Sequence, residues 1–162
     1  MNESLEVLLQ KLNENESAIS RLYRQFARSF PDDAAIWETI AADEDRHSGW
    51  LDQLLAICKA GKIRTGSGGL RFEAVESMLD YVLSVTENCA QGKLHRENVF
   101  AIAFDIENSL LERKFFSVLE SDSREFKTLT QEIVRETYRH RAEIGKHLET
   151  IRSGQGSHPV GR

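Results

Sequence analysis

Glu44 and His47 stand three residues apart, a spacing that sets a carboxylate and an imidazole on one face of a helix, able to grip one cation. Glu16 and Tyr23 are seven apart, two helical turns, and point the same way. Glu107 lies in an apolar run with Phe100, Phe104 and Leu111, while Thr137 and His140 fall among Ile133, Ile144 and Leu148. Each sits on an apolar stripe of helical period, where a charge is costly unless it is paired or bound to a metal. Three carboxylates (Glu16, Glu44, Glu107) and two imidazoles (His47, His140) converging from four helices make a candidate metal site. Oxygen and nitrogen donors in this mixture suit iron or manganese and tolerate zinc.

Long helices must position these residues. The chain of 162 residues, of a size for one domain, has only two prolines, Pro31 and Pro159. A sheet protein spends more of them on its turns, so the expected class is all-α. Apolar periodicity predicts a first helix from about Ser4 to Arg28 and a second from Pro31 to near Gly61. A third runs from about Arg96 to Glu120, and a fourth, opened by Asp122 and Glu125 as a capping box, reaches about Arg152. A shorter helix, about Phe72 to Glu87, sits in the crossover between the two hairpins. The pattern predicts an antiparallel four-helix bundle over residues 1–152 with one long crossover, and a flexible tail over 153–162.

A net charge of −5 and a pI of about 5.6 argue against a broad nucleic-acid footprint. No apolar run approaches the length of a membrane span, and the start of the chain lacks the basic-then-apolar order of a secretory signal. Cys58 and Cys89 stand singly, which predicts two buried thiols, a cytoplasmic location and no rubredoxin-like module. Gly66, Ser67, Gly68 and Gly69 follow a helix rather than a strand and read as crossover slack, not a phosphate loop. Trp37 and Trp50 fall at the rim of their stripe, where a second copy would cover them, so a homodimer is expected.

The succession Glu16-x6-Tyr23, Glu44-x-x-His47, Glu107 and His140 resembles the ferritin-like superfamily, and within it the rubrerythrin-like proteins more than the cage ferritins. The resemblance runs from the first helix to about Ile151. An internal repeat supports it: Glu16, Glu44 and His47 recur at nearly constant offset as Glu107, Thr137 and His140. It implies a carboxylate-bridged, non-haem di-iron site with Glu16, Glu44, His47, Glu107 and His140 as ligands. It also implies an oxidoreductase of peroxidase or ferroxidase type, reducing peroxide or oxygen or oxidising ferrous iron. Tyr23 would orient a ligand carboxylate from behind the site.

Two positions depart from that pattern. Thr137 stands where the family has a bridging carboxylate, and Lys114 where a tyrosine is expected seven residues after Glu107. Glu136, next to the gap, points about 100° away on the wheel. With Lys114 counted on the core face, the three glutamates balance one divalent ion better than two. Alternatives therefore stand beside the dinuclear site: one ion at the Glu44–His47 half, or a degenerate bundle with one or no metal serving as a structural or partner-binding module. In the last, His140 is a buried histidine bonded to Glu16 or Glu44.

Overall fold

The structure, a computed structural model, describes residues 2–67, 69 and 71–154. The described residues are mostly helical, with one small two-stranded ladder among them. Helix α1 spans Asn2–Ser29 and α2 spans Ala34–Lys59, entered through a 3-10 turn at Pro31–Asp33. Strand β1 (Arg64–Thr65) follows, then α3 (Phe72–Ala90), α4 (Arg96–Arg113), a 3-10 turn (Phe115–Val118), β2 (Leu119–Glu120) and α5 (Arg124–Arg152).

Helices α1 and α2 form an antiparallel hairpin in a register legible from its polar seam. Asn13 Nδ2 donates to Asp52 Oδ1 (2.7 Å), Ser17 Oγ lies 3.2 Å from Ser48 Oγ, and Ser20 Oγ donates to Asp45 Oδ1 (2.6 Å). Helices α4 and α5 pack as a second pair, and α2 touches α5. Helix α3 lies along α1 and buries Val75, Met78, Val82, Val85 and Cys89. At 19 residues against 18 for α4, it is a full member of the helical set rather than a short piece of crossover.

The apolar interior is in two parts. Phe26, Trp37, Val82, Phe100 and Ile144 belong to one cluster; Leu5, Leu9, Leu54, Phe115, Phe126 and Ile133 belong to the other. Burial of this apolar surface, at roughly 25 cal/mol per Å², is what holds long amphipathic helices together.

Several boundaries differ from those expected. Helix α4 stops at Arg113, not near Glu120, because Lys114 adopts a left-handed conformation (φ 45°) and turns the chain. The apolar residues beyond it form a 3-10 turn, and Leu119–Glu120 pair antiparallel with Arg64–Thr65. Helix α5 is capped by Ser123, whose Oγ accepts from Phe126 N (3.3 Å), not by Asp122. Trp37 is fully buried, at 0% exposure, inside an aromatic group with Tyr23, Phe26 and Phe100, so it offers no surface to a second copy. Cys58 and Cys89 are free, buried thiols. Beyond Gly154, the expected tail lies outside the described residues. Among the described residues, no helix is long and apolar enough to cross a membrane.

Candidate metal centre

Between the two apolar clusters lies a layer of buried polar side chains. Glu16, Glu44, His47, Glu107, Thr137 and His140 are all buried, as is Tyr23. Helix α1 supplies Glu16 and Tyr23, α2 supplies Glu44 and His47, α4 supplies Glu107, and α5 supplies Thr137 and His140. Local sequence explains the presentation: each polar residue occupies a position on its helix where the next turns are Leu, Ile or Phe, so burying the stripe buries it too.

The inward atoms form two triads. Glu16, Glu44 and His47 make one and Glu44, Glu107 and His140 the other, with the ligand atoms of each triad within 4.8 Å of one another. Glu44 belongs to both. Its Oε2 lies 3.1 Å from His47 Nδ1 and its Oε1 lies 2.9 Å from His140 Nδ1. Glu16 Oε2 is 3.9 Å from His47 Nδ1, and Glu107 Oε2 is 3.7 Å from His140 Nδ1. The two imidazoles are stacked, with ring centroids 5.7 Å apart. These clusters are able to hold a metal ion.

The far side of each imidazole meets another acid, and the pairing is crosswise. Asp43, on α2, takes His140 Nε2 (3.0 Å), while Glu136, on α5, takes His47 Nε2 (2.8 Å). Arg46 clamps Glu136 through both carboxylate oxygens (2.7 and 2.8 Å) and also holds Asp43 (2.7 Å). Arg139 donates to Asp43 Oδ2 (2.7 Å). Tyr23 Oη donates to Glu107 Oε1 (2.6 Å), leaving Oε2 to face the cluster.

Sequence reasoning missed Glu136 and Asp43. On the wheel Glu136 points away from Thr137, and that direction leads to His47 of the neighbouring helix. The signal was in the repeat itself. Asp43-x-x-Arg46-His47 and Glu136-x-x-Arg139-His140 are the same acid-x-x-Arg-His pattern, one on each helix. Lys114 is not on the core face: it caps α4, is exposed, and contributes no charge to the interior. Thr137 is in the layer, but its hydroxyl donates to Ile133 O of its own helix (2.8 Å).

The electrostatics follow from crowding acids and imidazoles out of water. Burial, and then the charge of Glu44, push the Glu16 carboxyl up to about 8. The same two causes raise Glu107. Burial works against ionised Glu44, yet the imidazoles of His140 and His47 against it hold its carboxyl far below the usual range. Burial also opposes charge on the imidazoles, but Glu16 and Glu44 lift His47 to about 11, and Glu107 and Glu44 lift His140 to about 11.

Whether a cation fits is answered by the atoms left over. Glu16 Oε2, Glu44 Oε1, Glu107 Oε2 and His140 Nδ1 are buried and have no hydrogen-bond partner. His140 Nδ1 and Glu44 Oε1, though 2.9 Å apart, are misaligned for a hydrogen bond. Such atoms ordinarily find partners, because leaving one without costs about 1–3 kcal/mol. All four lie in the two triads, where a cation would supply the partner that each lacks. No protein-family model matches this chain, and no curated protein or solved structure matches it either.

Proposed function

We propose that the chain is a ferritin-like, rubrerythrin-like helical bundle that holds non-haem iron in this layer and carries out redox chemistry on a small oxidant, peroxide or oxygen. The observation that carries the reading is the set of four buried, partnerless ligand atoms in two triads that share Glu44. Glu16 and His47 would hold one ion, Glu107 and His140 the other, and Glu44 would span the two with one oxygen towards each. Ferrous iron bound there supplies the electrons that reduce the oxidant.

The remaining work belongs to the chain. Asp43 and Glu136 keep a proton on Nε2 of each imidazole, so that Nδ1 faces inward as a lone pair once the site is loaded. Tyr23 fixes the rotation of Glu107. Glu16 holds a proton up to about pH 8 in the metal-free chain, and it releases that proton when a cation enters. The aromatic group of Tyr23, Phe26, Trp37 and Phe100 closes one side of the layer to water.

The test is anaerobic loading with ferrous iron, a count of iron per chain, and then the consumption of added hydrogen peroxide. Two irons per chain and peroxide consumption that disappears in Glu44→Gln support the reading. A chain that takes up no iron refutes it. Thr137, turned onto its own helix, favours a second reading in which the bundle holds one or no metal and serves as a structural module. A single inert iron in the native chain, with a second ion and peroxide turnover gained by Thr137→Glu, would select it.

A further inference from the structure

A cavity of about 270 Å³ opens beside the polar layer, between α1, α5 and the turn that follows α4. Its exposed lining residues, Lys114 and Tyr138, mark the mouth, and its buried ones, Asn15, Glu16 and Thr137, mark the floor. The wall between is mostly aliphatic and aromatic, with Leu110, Phe115 and Ile133 on it. The volume lies just under the ~300–1,000 Å³ typical of small-molecule pockets, so an apolar chain of modest length fills it. Lys114 stands exposed at the mouth, and the choice of head group falls to the floor.

The floor is built of acceptors. Asn15 is 3% exposed, and its Nδ2 donates to Lys11 O and to Val75 O of α3 (both 3.0 Å). Those carbonyls fix which end of the amide is nitrogen, so the atom left over is Oδ1, an acceptor. It is buried and has no partner. It belongs to neither triad, so an ion bound between the helices leaves it unserved. Glu16, 7% exposed, adds Oε2, also buried and partnerless, beside the carboxylate of Glu44. Thr137 brings no spare donor, because its hydroxyl is given to Ile133 O (2.8 Å). These acceptors select a head group by the donors it carries. A carboxylate carries none and a hydroxyl only one, while an amide brings a carbonyl that finds no donor on this floor. A primary ammonium carries three N–H donors and no acceptor, and its charge suits a carboxylate.

We propose that this cavity binds a primary alkylammonium, its N–H groups on Asn15 Oδ1 and Glu16 Oε2 at the floor and its chain along the apolar wall towards Tyr138. The proposal does not depend on the metal reading: iron would take Glu16 Oε2 and weaken the amine, yet the metal-free chain holds the whole site.

Calorimetric titration of the full metal-free chain with octylamine, 1-octanol, octanoate and octyltrimethylammonium, which share one tail, tests it. Octylamine should bind about tenfold more tightly than 1-octanol, and octanoate should not bind. Octyltrimethylammonium keeps the charge without an N–H and should also fall about tenfold below octylamine. Glu16→Met keeps the reach of the side chain and removes its acceptors, so it should weaken octylamine about tenfold and 1-octanol far less. Intermolecular nuclear Overhauser contacts in the parent chain should join the methylene beside the nitrogen to the methyl of Thr137, and the terminal methyl to the ring of Tyr138. They keep the proposal testable should Glu16→Met not fold. Absence of octylamine binding, equal or tighter binding of any of the other three, an unaltered affinity in folded Glu16→Met, or contacts that place the nitrogen end at Tyr138 would each overturn the proposal. Octylamine binding to a chain that takes up no iron would refute the metal reading and leave this one standing, and iron uptake without octylamine binding would do the reverse.

Discussion

Each imidazole of the polar layer meets an acid on both sides: Glu44 faces inward, hydrogen-bonded to His47 and ion-paired with His140, and an acid from the opposite helix holds the outer nitrogen. The outer acids are themselves clamped by Arg46 and Arg139, and this keeps them ionised: against burial, His140 and Arg46 hold Asp43 below its ordinary range, and Arg46 and His47 hold Glu136 below its own. A fixed outer carboxylate orients a ligating histidine and raises its basicity. Asp43→Asn and Glu136→Gln should therefore fold and still bind iron, with affinity down roughly 10–100-fold. Competition with a chelator measures this, and unchanged affinity would remove these residues from the site. At this scale the inward residues were legible, since a helix wheel tells which side chain enters a stripe. The outward partners were not, because the wheel gives a direction and only packing says which helix is met there.

Helix ends decide what enters the layer, and they were the least legible elements. Phe115, Phe116 and Val118 continue the apolar spacing of α4, with neither glycine nor proline to mark a stop. The stop is made by Lys114 in a conformation that glycine adopts freely. Lys114→Gly should raise stability by about 1 kcal/mol in denaturant titration while leaving iron content unchanged. A loss of stability would show that the lysine side chain holds the turn. At the start of α5, Ser123→Ala should cost about 1 kcal/mol through the lost cap. Asp122, whose side chain is 92% exposed and 3.5 Å from Arg64, should change stability far less when replaced by alanine. Equal effects would return the cap to Asp122. The mostly helical class was readable from the missing prolines and the 3.6-residue period. The length of α3 and the ladder of Arg64–Thr65 with Leu119–Glu120 were not: the ladder is made by backbone contacts between segments far apart in sequence, which no local pattern encodes.

For the molecule as a whole, a layer of buried charge divides a core that apolar residues would fill more cheaply, since replacing buried ion pairs by well-packed hydrophobic groups is often neutral or stabilising. That cost sets the pH behaviour of the metal-free chain. Glu16 is raised from 4.5 to about 8, so its contribution is complete below about pH 4.5 and is lost as pH climbs through 8. His47 and His140, raised from 6.5 to about 11, contribute fully below about pH 6.5 and lose that contribution as pH rises through 11. Asp43, Glu44 and Glu136 are depressed and act in the opposite sense, withdrawing stability on acidification below the ordinary carboxylate range. The melting temperature of the metal-free chain should thus fall between about pH 6 and pH 9. The fall should be shallower in Glu16→Gln, which cannot ionise. A flat profile, or one unchanged by that substitution, would contradict the burial and coupling described for Glu16. Iron should stabilise the fold more as pH rises, because it displaces protons from the same groups.

Sharing of Glu44 between two ions is the claim on which the function rests, and diffraction from iron-loaded crystals on either side of the iron absorption edge tests it directly. Two anomalous peaks are expected, one bounded by Glu16, Glu44 and His47 Nδ1 and the other by Glu44, Glu107 and His140 Nδ1. A single peak, or none between these side chains after full loading, would contradict it.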